Sequence, residues 1–271
     1  MRVVAVLMLA VCVWGIPSAV PAGNGAEPGV PILLYHRFGP MVADSMTVRT
    51  AVFEAHLKYL QAEGFEVIPL QELLSMLSGA GVPADRRCVV LVADDAHRSV
   101  FTEAFPLLKK YAVPMTLFVY PSAVSNASYA MTWAQLQEVQ ASGLCDIQSH
   151  TYWHPNFKKE RAKLPAAEFE KLVKMQLVKS KTTLERKLGR PVDLLAWPFG
   201  IFDAGLMERA AAAGYRAAFS IERRPATRRD HPMALPRYLL ADSDRGKVFE
   251  ALVNTPLQMA RRENRHVERR F

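Results

Sequence analysis

The stretch "CVVLVADDAHRSV", Cys88 to Val100, carries six apolar residues in succession and then two adjacent carboxylates, Asp94 and Asp95. A run with no polar face predicts a strand covered on both sides, the mark of a parallel sheet lying under helices. Its abrupt stop puts two charges at the strand's C-terminal end. Neighbouring side chains on a regular strand point to opposite faces, so both acids can serve one site only where the backbone bends.

Apolar runs and amphipathic stretches alternate outward from this point in both directions. Upstream lie "PILLY" (31–35), a helical stripe of Phe53, Leu57 and Leu60 closed by Gly64, the strand candidate "FEVIPL" (65–70) and the helical "LQELLSML" (70–77). Downstream come a helix around "VFTEAFPLLKKY" (100–111), the strand "PMTLFVY" (114–120), a helix in "TWAQLQEVQASG" (132–143) and the strand "LCDIQSH" (144–150). A long helix over Ala166–Leu188 precedes "DLLAWP" (193–198), "GLMERAAAAG" (205–214) leads into "YRAAFS" (215–220), and "ALPRYLL" (234–240) ends the series. About eight strands separated by helices predict an α/β fold, a distorted (β/α) barrel of about seven to eight parallel strands in a single domain.

With 271 residues, 50% hydrophobic and 22% charged, the composition is that of a globular domain with a substantial core and excludes a disordered or fibrous chain. Residues 1–22 read as an export signal, with Arg2 ahead of an apolar stretch too short for a span and small residues before Ala22. The expected division is signal 1–22, exposed lead-in 23–30, barrel 31–245, and a C-terminal helix with a basic tail over 246–271. After cleavage the chain is expected in the periplasm or outside the cell, where Cys88 and Cys145 are expected as buried free thiols. The net charge of +8 is partly local, because "RRENRHVERR" (261–270) holds five Arg against two Glu. That tail is expected to be solvated, with contact to an anionic surface as the sharper alternative. No basic recognition helix or aromatic RNA-binding signature is present, so nucleic acid is not expected as a partner.

Functional groups of parallel barrels gather at the C-terminal strand ends, where the loops converge on one mouth. Asp94 and Asp95, His150, and the segment "WPFG" (197–200) all fall at such ends. His150 and His154 stand four apart, a spacing that brings both imidazoles to one face of a helical turn. A carboxylate from another strand end would complete a two-His, one-Asp site with positions open for water and substrate.

Three motifs in register make the chain resemble the polysaccharide deacetylases of carbohydrate esterase family 4, the NodB-homology enzymes, over about Pro31 to Leu240. "VADDA" matches the family's Thr-Phe-Asp-Asp-Gly in its two acids, "HTYWH" matches His-Ser/Thr-x-x-His, and "WPFG" matches aromatic-Pro-aromatic-Gly. "PILLYHRF", "GFEVIPLQELL" and "LPR" look most like the branch that deacetylates poly-N-acetylglucosamine exopolysaccharide. The resemblance implies an exported hydrolase of N-acetyl groups on a β-linked N-acetylglucosamine polymer. Peptidoglycan, chitin oligomers and xylan are the alternative substrates, and a glycan-binding homologue with lost turnover is the alternative class.

By position, the resemblance implies Asp95, His150 and His154 as ligands of one divalent ion, Asp94 as general base and His36 as proton donor to the departing nitrogen. Zinc suits two imidazoles and a carboxylate, and iron, cobalt or nickel suit similar sets. Trp197, Phe199 and Tyr152 are expected to line the substrate site, with packing in the barrel core as the alternative, a backbone N–H near Phe199 to face the oxyanion, and Arg237 to orient Asp94 or simply to form a salt bridge. Ala96 stands for the family's Gly and is expected to fit only if its φ stays negative. Ala93 stands for Phe and is expected to remove a packing group beneath the site.

Overall fold

The computed structural model describes residues 29–79, 81–83 and 85–255. Strand β1 (Ile32–Tyr35) leads into a small parallel pair, β2 (Arg37–Gly39) and β3 (Thr47–Arg49), then α1 (Thr50–Ala62), β4 (Glu66–Val67) and α2 (Leu70–Ser78). β5 (Cys88–Asp94) is followed by a π-helical turn and α3 (Phe105–Tyr111), β6 (Met115–Val119), α4 (Trp133–Ala141) and β7 (Cys145–Ser149). The chain continues through α5 (Phe157–Lys163), α6 (Ala166–Leu188), β8 (Leu194–Ala196), α7 (Ala204–Ala212), β9 (Ala217–Phe219) and β10 (Tyr238–Leu239). All eight main strands pair in parallel, in the order β10-β1-β5-β6-β7-β8-β9, with β4 branching from β5. The sheet curls into a half-barrel, and a parallel bridge from Phe219 to Leu235 joins its far edge to the segment that becomes β10.

Two apolar clusters divide the core according to strand parity. Ile32, Leu34, Val90, Val92, Phe118, Leu194, Ala196 and Phe219 form the inner cluster, which Leu70, Leu73 and Leu74 of α2 join. Leu33, Val89, Leu91, Ala93, Leu117, Ile147, Leu195 and Ala218 point the other way, against the apolar stripes of α1, α3, α4, α6 and α7. Period-two alternation thus gives the central strands an inward and an outward set, and both are largely dry. This is why β5, buried along its whole length, shows no amphipathic pattern in the sequence.

Local signals place the helices. A Thr132–Gln135 capping box starts α4, the Asp203 carboxylate accepts from Leu206 N–H to start α7, and Gly189 at φ +66° ends α6. Val30, expected in an exposed lead-in, is instead buried and bridged to Ala226. Residues 247–255 are helical and bury Phe249, Leu252 and Val253 in the outer cluster. There Phe249 stacks on the buried His56 at a 3.8 Å ring separation. Residues 1–22 and the arginine-rich end of the tail lie outside the described residues, among which no helix is long and apolar enough to cross a membrane.

Cys88 and Cys145 are buried and free. Strand β6 separates them, and they belong to opposite clusters, Cys88 inner and Cys145 outer. Burial also pushes the Cys145 thiol up to about 12, so little reactive thiolate forms. In the native protein at neutral pH, neither Cys88 nor Cys145 should react with a thiol reagent within minutes, and both should react once guanidinium unfolds the chain. Rapid native-state labelling of either, located by peptide mapping, would contradict this packing.

Candidate active site

Parity decides which residues reach the mouth. Inward positions on β1, β5, β6 and β7, continued to the strand ends, are His36, Asp94, Tyr120 and His150. The register sets His36 beside Asp94, since Tyr35 pairs with Ala93, and His150 N–H donates to Val119 O beside Tyr120.

Asp94 is held from inside the barrel. Both nitrogens of the fully buried Arg237 fork donate to its carboxylate, Nη1 to Oδ1 at 2.8 Å and Nη2 to Oδ2 at 2.9 Å, while Nε donates to Ser220 O at 2.9 Å. Burial is the largest single influence and would raise the Asp94 pKa, but the Arg237 charge, His150, the Arg237 hydrogen bonds and His36 together outweigh it and hold the carboxyl at about 2. Asp94 is therefore an anion of fixed orientation across the physiological range.

Asp95 and the two histidines converge beside it. One ligand atom from each of Asp95, His150 and His154 lies within 4.8 Å of the others. His150 Nε2 is 3.6 Å from an oxygen of Asp94 and 3.6 Å from Asp95 Oδ1, and His154 Nε2 is 3.8 Å from Asp95 Oδ1. The tautomer of His150 is set by its Nδ1–H, which donates to Ala196 O at 2.8 Å and leaves Nε2 with a bare lone pair aimed at these oxygens. Asp95 Oδ1 is buried without any hydrogen-bond donor. Lone pairs that face one another with no proton between them are stabilised by a cation, so this donor set fits a divalent ion held by two imidazoles and a carboxylate. Burial raises the Asp95 pKa and lowers that of His150 to about 3, which favours the neutral imidazole a metal needs.

The backbone reaches this geometry through strain. Asp95 and Ala96 adopt φ of +72° and +51°, which swings the second acid away from its outward strand position toward the mouth. Ala96 was expected to keep a negative φ; it adopts the left-handed region instead, at a cost of about 1–2 kcal/mol for a residue with a Cβ. Ala93 does not lie beneath the site, because its parity turns it into the outer cluster. The two histidines are likewise not on a helical turn. Thr151 and His154 take φ of +62° and +64°, and the irregular loop is braced by Gln176 of α6, whose Oε1 accepts from Tyr152 N–H at 3.0 Å and Trp153 N–H at 2.9 Å. Gln176 is fully buried, and a polar residue on the apolar stripe of α6 was the sequence signal for it.

Of the three residues expected to line the substrate site, Phe199 alone has its ring against one of the two histidines. Its ring is 55% exposed and 4.5 Å from that of His154. Trp197 takes the core-packing alternative and leaves the substrate-lining set: next after β8 with outward parity, it is wholly buried against Phe157 and Phe202 and donates its indole N–H to Met233 O at 2.8 Å. Tyr152 leaves that set too, since its ring lies 4.1 Å from the Lys179 ammonium of α6 and makes no ring contact with either imidazole. Phe199 at φ +56° and Gly200 at φ +64° form a tight turn, and a Cβ on Gly200 would meet Ile221 Cγ1 at 2.4 Å. The Phe199 N–H has no acceptor among the described residues.

His36 is half-buried at the mouth, and its Nδ1 atom is buried without a partner. Burial lowers its pKa, against the pull of Asp94 and Asp95. Tyr120, which the sequence reading left out, brings its ring to 5.5 Å from His154 and 6.4 Å from His150.

Comparison with known proteins identifies the family and the fold. The sequence model of the family described as "Polysaccharide deacetylase" matches residues 81–218. The poly-beta-1,6-N-acetyl-D-glucosamine N-deacetylase of Staphylococcus aureus is 26% identical over 212 residues, covering 76% of this chain and 71% of that protein. The structure of IcaB from Ammonifex degensii superposes with a TM-score of 0.71 at 26% identity, covering 84% of this chain and 97% of that one. Streptococcus pyogenes deacetylase PplD, solved with acetate, shares the fold with a TM-score of 0.75 at 21% identity, covering 84% and 99%.

Arg237→Met should leave the Asp94 charge buried and unpaired, a loss of about 3–5 kcal/mol at pH 7 in urea unfolding. The folded pKa of Asp94 lies below the unfolded value of about 3.9, so the pair's stabilisation is complete above roughly pH 4 and lost as pH falls through about 2. A variant as stable as the wild type at neutral pH would show that the pair does not hold the site together.

Proposed function

The chain belongs to the polysaccharide deacetylase family, whose members hydrolyse acetyl–nitrogen bonds, and on that premise we propose an exported N-deacetylase of a β-linked N-acetylglucosamine polymer. The observation that carries the reading is the convergence of Asp95, His150 and His154 beside the Asp94–Arg237 pair at the C-terminal strand ends. Poly-N-acetylglucosamine is favoured because the Staphylococcus aureus relative named for that polymer aligns over most of the chain. Export is supported by the sequence of residues 1–22 and is tested by finding the mature N-terminus at Gly23 in the periplasm or medium.

Asp95, His150 and His154 would hold the divalent ion, which when bound polarises an acetamide carbonyl and acidifies a water. Asp94, ionised and aimed by Arg237, accepts a proton from that water as its oxygen bonds to the carbonyl carbon. Its low pKa makes it a modest base, so fixed orientation rather than proton affinity is its contribution. The unpaired Phe199 N–H donates to the carbonyl oxygen as negative charge develops there. When the carbon–nitrogen bond breaks, His36 gives the departing amine a proton, leaving acetate and a free amino sugar. The nearby Asp94 and Asp95 charges oppose the burial that lowers the His36 pKa, but burial prevails, so His36 is largely neutral at rest and must gain a proton before this step.

Wild-type protein supplied with zinc should bind one ion per chain and release acetate from N-acetylglucosamine oligomers. Asp94→Asn should keep the ion and lose at least about 10²-fold in rate, as removal of a general base does. His154→Ala should lose the ion by elemental analysis. Undiminished acetate release by Asp94→Asn would remove Asp94 from its role. Greater release from peptidoglycan, chitin oligomers or acetylated xylan would reassign the substrate, and oligomer binding without acetate from any of them would favour a glycan-binding protein.

A further inference from the structure

Tyr120 and Tyr129 form a pair that the catalytic steps do not use. Tyr120 is the next inward residue after Thr116 and Phe118 on β6, one strand from Asp94 on β5 and one from His150 on β7. Phe199, following β8, flanks the histidines from the other side, so His154 stands between two aromatic walls, with ring separations of 5.5 Å to Tyr120 and 4.5 Å to Phe199. The hydroxyls of Tyr120 and Tyr129 lie 2.6 Å apart, close enough for one to donate to the other. Only one of the two phenolic protons is used in that bond, which leaves one O–H donor and further acceptor capacity at the rim. Tyr129 is 43% exposed, so this capacity faces incoming solute.

The pair is held in place. The Tyr129 ring lies parallel to His97 at 6.1 Å, and His97 Nδ1 is 2.8 Å from Ser99 Oγ, which accepts from Phe38 N–H at 2.8 Å. Tyr129 O accepts from Arg98 N–H at 2.7 Å, and Ala130 bridges to His97. His97 therefore supports the rim from the loop that directly follows the two acids. A half-buried phenol with a spare hydroxyl offers an apolar face and a hydrogen-bonding edge together, the combination that a pyranose ring and its hydroxyls complement.

We propose that the Tyr120–Tyr129 pair is specificity-determining: it reads a ring hydroxyl of the sugar whose acetamido group enters the site and selects pyranose polymers over other acetylated compounds. The inference rests on the deacetylase reading above. Removing one neutral hydrogen bond from a bound substrate lowers affinity by roughly five- to tenfold. Tyr120→Phe and Tyr129→Phe, which keep both rings, should each raise KM for an N-acetylglucosamine oligomer by about that factor with kcat changed less than twofold. Because the two hydroxyls act as one unit, the double variant should be little worse than either single one.

The same variants are titrated calorimetrically with a glucosamine oligomer in the metal-loaded protein, with bound metal and Tm as controls for folding. Should Tyr120→Phe fold poorly, the exposed Tyr129→Phe carries the test. Turnover by the wild type together with unchanged KM and affinity in the variants would overturn the inference and leave the deacetylase reading standing. Absence of turnover with weakened oligomer binding in the variants would support the pair and sink the catalytic reading. No oligomer binding by the wild type would sink both.

Discussion

The bidentate ion pair between Asp94 and Arg237 is the interaction on which the mouth of this barrel depends. An isolated carboxylate so deeply buried would be protonated or would destabilise the fold, and the guanidinium fork removes both outcomes by satisfying two oxygens at once. The pair also joins distant parts of the chain, since Arg237 begins the segment that becomes β10 and Asp94 ends β5. Strand β1 lies between those two, so the contact crosses the interior beside the strand that presents His36.

A second constraint is backbone strain. Among the described residues, seven other than glycine have positive φ, and five of them, Asp95, Ala96, Thr151, His154 and Phe199, lie in the three segments that build the site. Each costs of order 1–3 kcal/mol and persists only where surrounding contacts enforce it. Those contacts are visible: Ala96 O accepts from Met131 N–H, Gln176 ties two loop amides, and Ile221 closes over Gly200. Strain here has a geometric purpose. A regular strand could not turn both Asp94 and Asp95 to one centre, and in the bent loop His150 keeps its Ala196 bond while His154 faces Asp95.

The strand–helix alternation and about eight strands were legible from periodicity, while the meeting of Asp95, His150 and His154 was implied by the family resemblance and the Arg237–Asp94 pairing was one of two readings of Arg237. Other readings failed for a shared reason. Trp197 follows Pro191-Val-Asp-Leu-Leu-Ala196 in a segment apolar on both faces, so no pattern distinguished its inward from its outward residues, and it proved to pack with the helices. The same ambiguity sent Ala93 away from the site and hid Tyr120, which reads as the last residue of an apolar strand. Gln176 escaped notice because its partners, Tyr152 and Trp153, are more than twenty positions away in the chain.

By itself, then, the order of amino acids determined the fold class, the ends of strands where chemistry gathers, and the types of residue that supply it, because periodicity and motif spacing are local properties. Tertiary structure alone decided which of two dry faces each strand turned inward, and which loops would bend into left-handed conformations to bring their side chains together. The reason is physical: in a sheet buried on both sides, hydrophobicity does not discriminate between the faces, and the choice is made by packing against elements remote in sequence.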